Sequence, residues 1–221
     1  MYKLAIFDFD GTLVDSAPGI VDVMKDVVGE YQFPAETLDL WKHLIGIPLL
    51  RQTEILFPDH QREFHEEVTA RYREIYDLKA IEICPLFPGL KPMLCALRDA
   101  EIIITIATSK RRHLVENVLD FHNLSEFFAL IVGAQDVNHH KPDPESVQIT
   151  LEKFNVTAAQ TIVIGDSSFD LEMARNAGVD AIGVTTGIHT HELLSKAEPT
   201  HIVSSLVEVT PIILSSKPPE N

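Results

Sequence analysis

Cysteine is nearly absent: Cys84 and Cys95 are the only two in 221 residues. That excludes a disulfide-built scaffold, and two ordinary thiols fit a reducing compartment. Long apolar runs are missing too, so no segment reads as a bilayer span. The opening MYKLAIFDFDG has no basic lead and no small-residue cleavage site before its first carboxylates, so a cytoplasmic protein is expected. Positive charge is the third deficit. Lys and Arg number 18 against 33 Asp and Glu, giving a formal net charge of −15. Such a surface repels nucleic acid and anionic lipid. The longest basic cluster, Lys110-Arg111-Arg112, is too short to reverse that. Neither a nucleic-acid nor a membrane partner is expected. An acidic chain that handles an anionic substrate needs a local positive device: a metal, a lysine or a helix N-terminus.

What is present is a core. Hydrophobic residues make up 45% of the chain, enough for one large domain or one domain with a smaller companion. Lys3–Asp8 reads as a buried strand. Ile20, Val23, Met24, Val27 and Val28 then mark one face of a helix, with Ser16 as its expected N-cap. Signals stay helical through Leu38–Ile45, Leu49–Leu56 and Gln61–Leu78, with breaks at Gly46-Ile47-Pro48 and Phe57-Pro58-Asp59. The pattern changes at Cys84–Gly89. Beyond it, helical stripes (Leu90, Met93, Leu94, Leu97; Leu114, Val115, Val118, Leu119) alternate with strands at Ile102–Ala107 and Ala129–Val132. Asp143-Pro144 opens another helix, and Thr157–Gln160 has the pattern of a capping box. Strands at Thr161–Ile164 and Ala181–Val184 flank a helix at Phe169–Ala177. A short helix near His191–Lys196 and a weak strand at His201–Val203 end the series.

Such alternation predicts an α/β fold: a Rossmann-like parallel sheet flanked by helices. The helical block after the first strand is too long for a loop and predicts an inserted all-helical unit. The expected division is residues 1–16 and 83–215 as core, 17–82 as insertion, and 216–221 as a loose tail.

In open parallel sheets, ligands sit beyond the carboxyl ends of the strands, and four strand ends here are polar. The first carries Asp8 and Asp10 in DFDGT. Like charges that close resist ionising together, so this stretch is a metal site, a catalytic pair, both, or a polar turn. The second ends in Thr108-Ser109-Lys110, the third leads to Lys141, and the fourth ends in Gly165-Asp166-Ser167 with Asp170 following. Three acids make the oxygen-rich setting Mg²⁺ prefers. Lys141, the Thr108 hydroxyl and the turn after it would cradle an anion. The set suits a phosphoryl group, with one Asp to attack phosphorus and another to move protons.

DFDGTLVDS, followed in order by ATSK, KPDPES and GDSSFD, resembles the haloacid dehalogenase superfamily of phosphotransferases. The match covers nearly the whole chain, and the helical insertion looks like that family's cap. KPDPE and GDSxxDxxxAxxAG most resemble the phosphoglycolate phosphatase-like branch. The resemblance implies Asp8 as nucleophile and Asp10 as general acid/base, its backbone carbonyl also touching the metal. It implies Asp8, Asp10 and Asp166 around Mg²⁺, with Asp170 in support. Thr108 and Lys141 would hold phosphate. Ser109 departs from the branch's usual Asn, and its backbone N–H could serve in the same role. The expected activity is hydrolysis of a small phosphorylated metabolite through an aspartyl-phosphate. A phosphomutase of the β-phosphoglucomutase type and a pyrophosphatase are the alternatives. The second acid argues against dehalogenation, and the position of DxDGT after the first strand argues against a signalling receiver domain. A complete set of acids plus Lys141 argues against an inactive scaffold.

In the insertion, the resemblance implies that the loop and helix start around Gly46 and Arg51 face the substrate, where Arg51 could bind a carboxylate or second phosphate. A plain surface arginine is the competing reading. Trp41 is expected to pack within the insertion. His139, His140, His189 and His191 are expected to be solvated, since no third N/S ligand stands at metal spacing. Monomer and homodimer are both open.

Overall fold

The computed structural model describes residues 2–215. Six strands form one parallel sheet in the order β3-β2-β1-β4-β5-β6: β1 is Leu4–Phe7, β2 Ile103–Ala107, β3 Leu130–Val132, β4 Thr161–Gly165, β5 Asp180–Val184 and β6 His201–Val203. Side chains alternate across the sheet with period two, and the sequence fills both faces. Ala5, Phe7, Ile104, Ile106, Ile162 and Ile164 join one buried cluster. Leu4, Ile6 and Val163 join the other. The first face is covered by α5 (Leu90–Asp99), α6 (Arg112–Phe121) and α10 (Val209–Ser215). The second is covered by α7 (Glu145–Phe154), α8 (Ser168–Ala177) and α9 (His191–Ser195). The fold is Rossmann-like, as expected.

Four helices enter between β1 and α5: α1 (Ala17–Glu30), α2 (Glu36–Lys42), α3 (Leu49–Leu56) and α4 (Arg62–Lys79). They share their own buried cluster, built from Ile20, Val23, Met24 and Val27 of α1, Trp41, and Val68, Tyr72 and Tyr76 of α4. The α1 residues follow the i, i+3, i+4, i+7 rule for one helical face. Trp41 is fully buried and its indole N–H donates to Gln52 at 2.8 Å. Leu114 of α6 joins the same cluster, so sheet-side and inserted helices meet in one apolar seam.

Some local expectations fail. Ser16 precedes α1, but its hydroxyl caps nothing and has no hydrogen-bond partner. Pro18 stands at the second helical position and has no N–H for a cap to satisfy. The Thr157 hydroxyl meets the Gln160 side chain at 3.1 Å instead of closing a capping box, and the segment is a single 3₁₀ turn. Helix α10 has no sequence-based counterpart. Pro211 argues against a helix there, yet it falls in the first turn, where the missing N–H has no intrahelical partner to lose. The expected tail at 216–221 lies outside the described residues. Both cysteines are free, with Cys84 buried. Among the described residues no helix is long and apolar enough to cross a membrane.

Candidate active site

Strand order reverses between β1 and β4, and crevices at such reversals hold ligands beyond the carboxyl ends. Register then fixes which residues meet. Phe7 is level with Ile164 on one side and Ile106 on the other. The chain therefore leaves the sheet at one height as Asp8, as Gly165-Asp166 and as Thr108. Phe9 points the other way and is fully buried, which leaves Asp8 and Asp10 on either side of an apolar anchor.

Asp8, Asp166 and Asp170 are all buried, and each offers a carboxylate oxygen within 4.8 Å of the others. Lys141 reaches this cluster from the loop after β3. Its ammonium donates to Asp8 at 2.8 Å and also to Asp170. Asp170 is fixed from behind, accepting from the Ser167 N–H at 3.1 Å and the Ser167 hydroxyl at 2.6 Å. Asp166 accepts from Thr12 at 3.1 Å. Its carboxylate fits because two neighbours lack side chains. A Cβ on Gly187 would lie 1.7 Å from an Asp166 oxygen, and one on Gly11 2.4 Å away. Gly11 also has φ +76°, which only glycine adopts without strain.

The electrostatics are unbalanced. Burial, opposed by Lys141 and reinforced by Asp170, pushes the Asp8 carboxyl up to about 7. Burial followed by the Asp8 and Asp170 charges pushes Asp166 well above the usual carboxylate range. Burial works against the Lys141 charge, but Asp170 and Asp8 outweigh it and hold the ammonium above its ordinary value. Three acids against one lysine leave an excess of negative charge that a hard divalent cation would relieve. An all-oxygen donor set of buried carboxylates is the chemistry Mg²⁺ takes, so the residues fit that ion. The cluster brings Asp8 and Asp166 together. Asp170 stands in it directly, and the Asp10 side chain does not.

Asp10 is held elsewhere. Lys110 donates to its carboxylate at 2.7 Å and also contacts the Tyr76 hydroxyl of α4. Burial, then Asp10 and Cys84, push the Tyr76 phenol above its ordinary value, so it stays neutral. Between the sheet's edge and the inserted helices lies a cavity of about 140 Å³. Asp8, Asp10, Thr108 and Asp166 line its floor, and Ile20, Met24, Ile45, Ile47 and Tyr72 line its roof.

Ser109 and Gly46 also line the cavity, and they touch: the Ser109 hydroxyl donates to the Gly46 carbonyl at 2.8 Å. Gly46 has φ +114°, and a Cβ there would press Ser167 at 3.0 Å. Arg51 is not brought to the cavity. It is exposed and pairs with Glu54 at 2.9 Å. On α3 the next residue, Gln52, turns inward to Trp41, and one residue of helix rotation carries Arg51 outward. His189 is not solvated: it is buried, and its Nδ1 accepts the Ser168 N–H at the start of α8 at 3.0 Å. His140 lines a small cavity beside Thr108 and Lys141, while the exposed His139 pairs with Glu145.

Sequence reasoning missed Lys110, Tyr76 and the pair of Arg111 with Asp77, joined at 2.6 and 2.8 Å. Lys110 stood in the same ATSK stretch as Thr108. Nothing in the helical periodicity of α4 separates Tyr76 from the core residues beside it.

A parallel sheet whose switch point gathers acids, a buried lysine and a threonine beneath a helical roof defines an enzyme of the phosphatase class. The chain belongs to the haloacid dehalogenase-like hydrolase family, whose model matches residues 5–184. It is 35% identical over 212 residues to a Dickeya dadantii protein named "Probable phosphatase IndB", covering 95% of this chain and 92% of that one. It is 28% identical over 221 residues to the phosphoglycolate phosphatase of Vibrio cholerae, covering 97% and 98%. A crystal structure from Bacteroides fragilis, provisionally named a haloacid dehalogenase-like hydrolase, matches with a TM-score of 0.89 at 32% identity. That match covers 95% of this chain and 100% of the other.

Proposed function

We propose that the protein is a Mg²⁺-dependent phosphatase that hydrolyses a small phosphomonoester of the phosphoglycolate kind through an aspartyl-phosphate on Asp8. The reading rests on one observation above all: Asp8, Asp166 and Asp170 converge within reach of one another, Lys141 donates to Asp8 and Asp170, and Asp8 and Asp166 open onto the floor of the cavity. Asp8, Asp166 and Asp170 would hold the ion, with the backbone carbonyl of Asp10 as a further ligand. Once bound, Mg²⁺ supplies charge neutralisation, which lowers the repulsion between Asp8 and an anionic phosphate.

The remaining steps belong to the chain. Lys141 and the Thr108 hydroxyl orient the phosphate oxygens. The Asp8 carboxylate attacks phosphorus and forms the acyl phosphate bond as the bond to the leaving oxygen breaks. Asp10 in its acid form gives that oxygen its proton. Asp10, now ionised, takes a proton from water as the water attacks phosphorus, releasing phosphate and restoring Asp8. The inserted helices limit entry of bulk water during the first half-reaction.

The test is phosphate release from p-nitrophenyl phosphate and a phosphomonoester panel. Activity is expected with Mg²⁺, none with EDTA, and a loss of at least about 10³-fold in Asp8→Asn with the fold retained. Undiminished turnover by Asp8→Asn overturns the assignment.

A further inference from the structure

This inference deepens the proposed function and rests on it. In so acidic a chain nearly every arginine is claimed. All but one of those in the described residues pair with a carboxylate at 3.9 Å or closer. The exception is Arg73 on α4, and Arg73 lines the cavity. The acid whose charge acts on it, Asp77 one turn along α4, is taken: both Asp77 oxygens accept from Arg111, at 2.6 and 2.8 Å. Burial and the neighbouring Arg111 charge act against the Arg73 guanidinium and lower its pKa, with only Asp77 opposing. Arg73, Arg111 and Asp77 therefore line the cavity together with two guanidiniums to one carboxylate, and the exposed Arg73 makes no ion pair among the described residues.

Position along the helix gives the geometry. Tyr76, three residues on, touches the lysine that holds Asp10. Three residues of helix rise about 4.5 Å, so Arg73 stands roughly one turn from the acid–lysine–phenol contact. Apolar residues line the same cavity: Ile20 and Met24 of the roof and Leu114 of α6 offer no hydrogen bond to a leaving group. A substrate with its phosphate on the floor would present the far end of its leaving group to Arg73.

We propose that Arg73 receives a second anionic group carried by the leaving group, and so selects phosphate esters and anhydrides whose leaving group is itself a carboxylate or phosphate. A guanidinium fork matches either oxyanion. Neutral leaving groups would gain nothing from it and would leave its charge unpaired.

The test compares kcat/KM, with Mg²⁺ present, for phosphoglycolate, pyrophosphate and ethyl phosphate in wild type, Arg73→Gln and Arg73→Lys. Wild type should prefer at least one anionic substrate over ethyl phosphate. Arg73→Gln should shrink that preference about 10- to 100-fold, the size of one charge-assisted hydrogen bond, and Arg73→Lys should restore part of it. A shrinkage confined to phosphoglycolate assigns a carboxylate, and one confined to pyrophosphate assigns a phosphate. An active wild type whose preference is absent, or unchanged in Arg73→Gln, overturns the inference and leaves the proposed function standing. A wild type inactive on all three and on p-nitrophenyl phosphate overturns both.

Discussion

The floor of the cleft and its roof treat charge in opposite ways. On the floor, Lys141 and Asp8 pair with side chains only 4% and 6% exposed, and Asp170 beside them is wholly buried. Across the cleft mouth, Arg111 of the sheet side and Asp77 of the roof pair at 31% and 40% exposure. Water screens the second pair and barely reaches the first. Strand ends, which cannot move without breaking the sheet, carry the floor acids Asp8 and Asp166. Helix α4 carries the roof groups Tyr72, Arg73, Tyr76 and Asp77, held to the sheet side by side chains alone. A fixed, charge-dense floor suits a single chemistry. A roof attached by weak contacts can part to admit substrate and close again, and it is where selectivity can change without loss of the reaction.

The largest effect expected from this contrast is at Lys141. Replacing it in Lys141→Met leaves Asp8, Asp166 and Asp170 facing one another without a cation. Removing one partner of a buried pair costs about 3–5 kcal/mol. Urea unfolding in EDTA at pH 8 should show a loss of that size, together with loss of turnover, and Mg²⁺ should return part of the stability. A variant that unfolds like wild type would mean the floor is no more coupled than the roof.

Proton linkage gives the next effect. The Asp8 carboxyl has its folded-state value raised from 3.8 to about 7. Its contribution is therefore fully present below about 3.8 and lost as pH rises through about 7. Asp166, also raised, acts with the same sign. Lys141 is raised as well, but from 10.5, so it is flat across this window. His189, lowered by burial, acts with the opposite sign and destabilises as pH falls through about 6.5. Without metal, raising pH from 5 to 8 should cost about 2–3 kcal/mol through Asp8. Comparison with Asp8→Asn, which retains His189, removes that share together with the part of the Asp166 rise that the Asp8 charge causes. Parallel pH profiles for the two proteins would remove Asp8 from the unbalanced set.

Lys110 lies between floor and roof, its side chain 8% exposed against 18% for Asp10. Lys110→Met should lower kcat about 10- to 100-fold with a smaller change in stability. Because Lys110 acts through Asp10, the variant should also move the pH–rate profile. A packing role alone would leave that profile in place.

The same contrast explains what could be read without a structure. Floor residues sit on short motifs at strand ends, which a parallel sheet brings to one edge however far apart they lie in sequence. Asp8 and Asp10 were visible for that reason, and the alternation of strands and helices then required Asp166 and Lys141 to share one edge. Roof contacts join residues more than thirty positions apart, such as Tyr76 with Lys110, and periodicity records only that Tyr76 is on a buried face. Arg51 was chosen for its charge and its place at a helix start that faces substrate in the family it resembles, but helix rotation decides such cases, and it brought Gln52 inward. Helix α10 was hidden by Pro211, because propensity scored residue by residue overlooks the first turn's tolerance for proline.

The smallest effect is the most direct probe of how the roof is fastened. Three consecutive sheet-side residues grip it: Ser109 to the Gly46 carbonyl, Lys110 to Tyr76, and Arg111 to Asp77. In the Arg111–Asp77 pair one guanidinium nitrogen meets both carboxylate oxygens and both side chains are partly exposed, so its worth is at most about 1 kcal/mol after screening. Arg111→Gln should therefore raise KM no more than about fivefold and leave the unfolding midpoint within error. High salt should produce the same rise in wild type and little further rise in the variant. Asp77→Asn alone should match it, and the double variant should be no worse than either single one, because one interaction is removed in all three. Additive losses would mean that each residue acts separately. For Asp77, freed in Arg111→Gln to pair with Arg73, that result would point to the two arginines competing for one carboxylate, which would tie the fastening of the roof to the charge it presents to substrate.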